Sequence, residues 1–177
     1  MAPLKLYGAA ASTNTARAVA VLNELGLDYD FITVDLSGGA NKKPDFLTLN
    51  PFGLVPAFED GDIKLFESRA IAKYLAAHYG PGLLKSASKA ESAAVEVWLE
   101  VESQEFNPPA SAIVSEGLLK PLLYGGSPDL VVVRAQEAKL GQTPQERLIT
   151  SRPHVKSWWE QISARPGWKK AAAAIPF

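Results

Sequence analysis

Residues 49–80 read LNPFGLVPAFEDGDIKLFESRAIAKYLAAHYG, and the fold follows from how this stretch changes period. Two short apolar runs, Val55 to Phe58 and Ile63 to Phe66, flank Glu59-Asp60-Gly61-Asp62. An Asp-Gly step supplies the positive φ of a tight turn, so the two runs predict an antiparallel hairpin. Beyond Ser68 the spacing becomes helical: Ile71, Tyr74, Leu75 and His78 share a face up to Tyr79, and Gly80-Pro81-Gly82 ends it. Upstream, Leu4 to Tyr7 predicts a strand and about Thr15 to Leu25 a helix stopped by Gly26. Tyr29 to Val34 predicts a second strand, and Phe46 with Leu49 a short helical turn. The order β-α-β, connection, β-β-α builds a small mixed sheet covered by helices.

The second half lacks strand alternation. After a polar linker at 85–88, Ala94, Trp98, Val101 and Glu105 recur at helical spacing within 89–115. Pro108-Pro109 is expected to interrupt or bend that helix, and Val131 to Leu140 to start another. Val155, Trp158, Trp159 and Ile162 form an amphipathic stripe before Arg165-Pro166-Gly167. The predicted organisation is therefore a mixed α/β domain at 1–84, a linker at 85–88 and an all-helical domain at 89–177.

Composition narrows the chemistry. The chain has 177 residues and no cysteine, which excludes disulfides, thiolate metal sites, cysteine nucleophiles and dithiol redox chemistry. Lys plus Arg is 18 against 19 Asp plus Glu, with no basic block beyond Lys-Lys pairs, so no nucleic-acid partner is expected. No apolar run approaches the roughly 20 residues that span a bilayer, and the start does not read as a secretory signal. The expectation is a cytoplasmic protein with no membrane partner. Neither His78 nor His154 belongs to a metal-ligand pattern, so no metal is expected.

Four places remain as candidate chemistry: Ser12, Lys42, Val55-Pro56 and Glu67-Ser68. Ser12 stands between the first strand and the first helix, where a hydroxyl either caps the helix or faces a substrate anion. Lys42 reads as a solvated loop lysine beside Lys43. Pro56 is acceptable at a strand start because it need not donate there. Glu67-Ser68 either caps the next helix or helps its N-terminus recognise a carboxylate.

These residues lie in text that resembles the soluble glutathione transferases, particularly the phi class of plants and fungi. The resemblance runs through KLYGAAASTNTARAVAVLNELGLDYDFITVDL (5–36), then LNPFGLVPAFEDGDIKLFESRAIAKYLAAHYG, with NPFG-x-VPA-x-x-DG-x-x-L-x-ESRAI as its strongest signal. It resumes in VEVWLEVESQEFNPPAS, KPLLYGG and SRPHVKSWWEQISARPGWKKA. The resemblance implies a thioredoxin-like N-terminal domain that binds glutathione, followed by a shortened all-helical domain that shapes an electrophile site. It implies that Ser12 donates a hydrogen bond to the glutathione sulfur, favouring thiolate over thiol without becoming a covalent nucleophile. Asn41 and Lys42 would meet the glycine carboxylate, Leu54 and Val55 the cysteinyl backbone beside a cis Pro56, and Glu67 and Ser68 the γ-glutamyl end. Arg17 and Arg69 would lend structural or electrostatic support.

Glutathione is then a co-substrate, with no permanently bound cofactor. The implied activity is conjugation of glutathione to small hydrophobic electrophiles, with glutathione peroxidase activity as a second capacity, in a homodimer. Two positions depart from the family pattern: Leu54 stands where a glutamine is common, and Asn41 where a histidine is common. A larger departure follows RAQEAKL (134–140), where Gly141-Gln142-Thr143-Pro144 leads directly toward SRPHVKSWW and a helical layer of the family is missing. A non-catalytic glutathione-binding or ligand-carrying protein, and an inactive shortened variant, are the alternative readings.

Overall fold

The structure, a computed structural model, describes residues 3–80, 82–84, 87–121, 125–142 and 164–173. The chain divides into two units, residues 1–84 with 162–177, and residues 85–161.

In the first unit, β1 (Leu4–Gly8), β2 (Tyr29–Thr33), β3 (Ala57–Asp60) and β4 (Ile63–Phe66) form one sheet in the order β2-β1-β3-β4. β1 and β2 are parallel, which requires a crossover, and α1 (Thr13–Glu24) provides it. The other pairings are antiparallel. The hairpin expected at Gly61 is present, with Asp60 opposite Ile63 and Gly61 at φ +58°. β3 begins two residues later than the expected strand at Val55, because the chain first turns through Pro56.

Strand alternation sorts the side chains onto two faces. Leu4, Leu6 and Phe58 pack with Ala18 and Leu22 of α1 and with Ile71 and Leu75 of α3 (Ser68–Tyr79). On the opposite face Val34 and Ala57 pack with Phe46 of the one-turn helix α2 (Pro44–Leu47). Helices thus cover both sides of a mixed sheet, the thioredoxin-like arrangement expected from the sequence.

Two glycines matter to the position of α1. A Cβ on Gly8 would lie 2.3 Å from Thr15 Cγ2, so only glycine lets the first turn of α1 rest on the end of β1. At the other end Gly26, at φ +64°, forms the predicted stop: its N–H donates to the Asn23 carbonyl while Leu27 N–H donates to the Leu22 carbonyl.

In the second unit, α4 (Lys89–Val101) opens with Ser88, whose Oγ accepts from Glu91 N–H at 3.2 Å. The helical path continues through a widened turn at 102–106 into α5 (Asn107–Val114), and a second widened turn occupies 115–119. Pro108 and Pro109 stand in the first turn of α5, where the preceding wide turn has already shifted the hydrogen-bond ladder. The prolines therefore re-register the helix rather than end it. α6 (Leu130–Gln142) extends the expected helix by one residue at its start and two at its end. Asp129 opens it, with Oδ1 accepting from Val131 N–H at 2.9 Å and Val132 N–H at 3.2 Å. The described residues of this unit are all-helical or loop, as expected.

The stripe predicted along α4 is not a buried one. α4 has no buried residue, and Trp98 is 51% exposed. The helix α7 (Pro166–Ala173), inside the region expected to be all-helical, packs on α1, and Arg165 pairs with Glu24. That contact is why residues 162–177 fall with the first unit and not, as expected, with 89–161. The stripe Val155, Trp158, Trp159 and Ile162, and His154, lie outside the described residues. Among the described residues no helix is long and apolar enough to cross a membrane, and no three His, Asp or Glu side chains are grouped to hold a metal.

Candidate functional site

The chain leaves β1 at Gly8 and reaches α1 through residues 9–12. Ser12 is the cap: its Oγ accepts from Thr15 N–H at 3.2 Å, and its carbonyl accepts from Ala16 N–H. A hydroxyl has one donor and two acceptor positions, so capping uses an acceptor and leaves the O–H proton available. The two expected roles of Ser12, cap and donor to an anion, are therefore compatible in one rotamer. The helix N-terminus adds unpaired N–H groups and a partial positive charge beside it.

One turn along α1, Arg17 Nη1 donates to Ser68 Oγ at 2.6 Å and to Asn14 Oδ1 at 2.9 Å. This joins the Ser12 helix to the start of α3. Ser68 is 5% exposed. Before it, Glu67 has an unfavourable backbone for a side-chain-bearing residue, φ +68° and ψ 107°, and is exposed. The turn leaves Glu67 in reach of solvent and places Ser68 against the first unit's interior.

The remaining candidates are built into the loops before β3. Asn50 is 2% exposed, and its Nδ2 donates to the Leu54 carbonyl at 2.7 Å while its Oδ1 accepts from Phe52 N–H at 3.0 Å. Asn41 Nδ2 donates to the Gly53 carbonyl at 2.7 Å and Lys42 Nζ to the Phe52 carbonyl at 3.0 Å. These bonds fasten residues 50–54 to the turn at 40–42, directly ahead of Val55-Pro56. The Val55-Pro56 peptide is cis. Leu54 is 55% exposed, so its side chain is held by none of these contacts and its carbonyl is the anchored group. Asn41 spends an amide proton on the loop, and Lys42 keeps its exposed ammonium at the loop's edge.

The expected site residues do not include Asn50. A signal for it stands in Asn50-Pro51-Phe52-Gly53, since asparagine organises turns through its own side chain. Nothing in the sequence shows that this asparagine would be buried.

A concavity of about 430 Å³ lies on the sheet face covered by α2, between Tyr7, Phe46, Glu59 and Lys64. There Tyr7 OH donates to Glu59 Oε2 at 2.6 Å. Burial, then the hydrogen bond and charge of Glu59, push the phenol up to about 12. Tyr7 is thus committed to a carboxylate on the face opposite Leu6, and it does not compete with Ser12 as a donor to an anion.

Comparison with known proteins agrees with this architecture. The family model for the glutathione S-transferase N-terminal domain matches residues 2–77. The chain is 44% identical to glutathione S-transferase 3 of Zea mays, over 99% of this chain and 96% of the maize protein. It superposes on glutathione transferase F7 from Populus trichocarpa with a TM-score of 0.85 at 38% identity, covering 98% of this chain and all of the poplar one. It also superposes on maize glutathione S-transferase I in complex with an atrazine glutathione conjugate, with a TM-score of 0.86 at 35% identity and 98% of each chain covered. The match to the Zea mays protein runs over 216 positions against 177 residues here, so at least 39 of those positions have no counterpart in this chain. Because both proteins are covered almost end to end, the shortening is internal.

Proposed function

The chain belongs to the glutathione S-transferase family, and from that premise we propose that it transfers the glutathione thiolate to small hydrophobic electrophiles, with Ser12 as thiolate activator. The observation that carries the reading is the polarity of Ser12: Oγ accepts from Thr15 N–H, which leaves its proton to donate to sulfur. Donation to the charged form lowers the thiol pKa, and each unit is worth about 1.4 kcal/mol between protonation states. The thiolate then attacks an electrophilic carbon and expels its leaving group. In the corresponding peroxidase chemistry the same thiolate attacks a hydroperoxide oxygen, the O–O bond breaks and the alcohol leaves, and a second glutathione converts the resulting sulfenic acid to glutathione disulfide and water. In this reading Lys42, with Asn41, receives the glycine carboxylate. The Val55 backbone, with Leu54 and Pro56 beside it, meets the cysteinyl unit, and Glu67 with Ser68 receives the γ-glutamyl end.

The test is thiolate absorbance of the glutathione complex together with conjugation of a nitro-halobenzene. Ser12→Ala should remove most of the thiolate signal at neutral pH and lower turnover by about 10- to 1,000-fold, as expected for one lost stabilising donor. Turnover like the wild type with unchanged glutathione binding would overturn the role of Ser12.

A second reading, a glutathione-binding or ligand-carrying protein without catalysis, is favoured by one observation. Among the described residues of 85–161 only Pro109 is buried, so the described helices of this unit are thinly packed. Binding of glutathione without conjugation of any tested electrophile would select it. The proposal includes a homodimer, consistent with Val97 and Trp98 of α4 being 59% and 51% exposed. Sedimentation as a monomer at micromolar concentration would remove the dimer and leave the glutathione site untouched.

A further inference from the structure

We propose that Arg17 is a positioning residue for the γ-glutamyl end of glutathione, acting by orienting the Ser68 hydroxyl as a donor. The inference rests on the transferase reading above and adds a residue that sits on a different helix from the group it orients. Arg17 Nη1 lies 2.6 Å from Ser68 Oγ. A guanidinium carries only donors, so in this bond Ser68 is the acceptor. Ser68 has one hydroxyl proton, and the lone pair given to Arg17 forces that proton to point elsewhere. Because Ser68 is buried, few orientations remain for its hydroxyl.

Ser68 also opens α3, a helix of 12 residues whose first N–H groups have no partner within the helix. An O–H donor beside such N–H groups is matched to a carboxylate. In glutathione, the carboxylate at the γ-glutamyl end supplies that chemistry. Without Arg17, the Ser68 hydroxyl loses this constraint, and in rotamers that turn its proton away it offers the ligand only lone pairs. The 2.9 Å bond from the same Arg17 nitrogen to Asn14 Oδ1 holds the guanidinium in place on α1.

The experiment compares two ligands, by calorimetry or displacement, on the wild type and a set of variants. The ligands are glutathione and 4-aminobutyryl-cysteinyl-glycine, which lacks the α-carboxylate. Arg17→Met keeps an apolar stem of similar length but no donor. It should weaken glutathione about 10-fold, the scale of a hydrogen bond to a charged group, and change the analogue less than about 2-fold. Saturated turnover should fall less than about 3-fold, so the effect appears in KM and not in kcat. In a Ser68→Ala background the further loss for glutathione should be under about 3-fold, because the hydroxyl to be oriented is already gone. Arg17→Lys, which restores a donor, should recover part of the glutathione affinity.

An equal loss for both ligands, or the full loss persisting in the Ser68→Ala background, overturns the proposal. The ratio between ligands is unaffected by the fraction of folded protein, so a destabilised Arg17→Met still separates the two outcomes. Wild type that binds glutathione, with Arg17→Met indistinguishable from it, overturns this inference alone. Wild type that does not bind glutathione overturns the transferase reading and this inference with it.

Discussion

Glu67, the one non-glycine at positive φ among the described residues, combines that backbone with a proposed ligand contact. A side chain at φ +68° costs on the order of 1–3 kcal/mol, since the Cβ crowds its own backbone. Removing the carboxylate and removing the Cβ are separable. Glu67→Ala and Glu67→Gly should weaken glutathione to the same extent, while the glycine variant should be the more stable by about 1 kcal/mol. Thermal melts with glutathione titrations check this, and an alanine variant melting at or above the glycine variant would refute the strain argument. At this scale the placement of Ser12, Glu67 and Ser68 at helix starts is legible in the sequence, whereas their proposed ligand contacts, and that of Lys42, come from the family resemblance and not from local pattern. The Arg17 bond to Ser68 is not legible, since it spans 51 positions and exists only after α1 and α3 pack. The burial of Asn50 was hidden for the same reason.

Among elements, the attachment of the β3–β4 hairpin to α3 has a pH limit. Asp60 Oδ2 accepts from Tyr74 OH at 2.8 Å and from Tyr79 OH at 2.5 Å. Tyr74 is pushed up to about 12, first by burial and then by the hydrogen bond and charge of Asp60; Tyr79 is raised chiefly by its bond to Asp60. Both phenols are neutral when folded, and their folded values lie above the ordinary 10. Their contribution to stability is therefore complete below about pH 10 and is lost as pH rises from about 10 toward 12. Tyrosinate absorbance at alkaline pH should rise together with loss of helical circular dichroism, and Tyr74→Phe should flatten that pH dependence while lowering stability at neutral pH. Ionisation of Tyr74 near its ordinary value with no structural loss would show that the Asp60 bond is not made. The hairpin and α3 were legible because Gly61 and the Ile71-to-His78 spacing are local signals. The bonds between them were not, since nothing local pairs Asp60 with Tyr79.

For the whole molecule, the order of a mixed sheet and then helices is legible in the sequence, and the superpositions agree with it. That residues 162–177 join the first unit is not, because α7 is placed by packing on α1 rather than by its own pattern. The internal shortening has a physical consequence in the other unit. The first unit holds both buried hydrophobic clusters, whereas among the described residues of 85–161 only Pro109 is buried. Amide protection rises with the buried contacts that must be broken to open a segment. Hydrogen exchange should therefore be faster across 89–142 than across Leu4–Gly8 and Ala57–Phe66, and glutathione should slow the first unit more than the second. With Trp158, Trp159 and Trp168 replaced by phenylalanine, Trp98 reports the second unit alone, and its emission should shift to longer wavelength at lower denaturant than the loss of sheet signal does. Protection across 89–142 equal to that of β1, in a verified monomer, would mean that the shortened helices have closed a core of their own. The reading of binding without catalysis would then lose the one observation that favours it, since that reading rests on the thin packing of these helices.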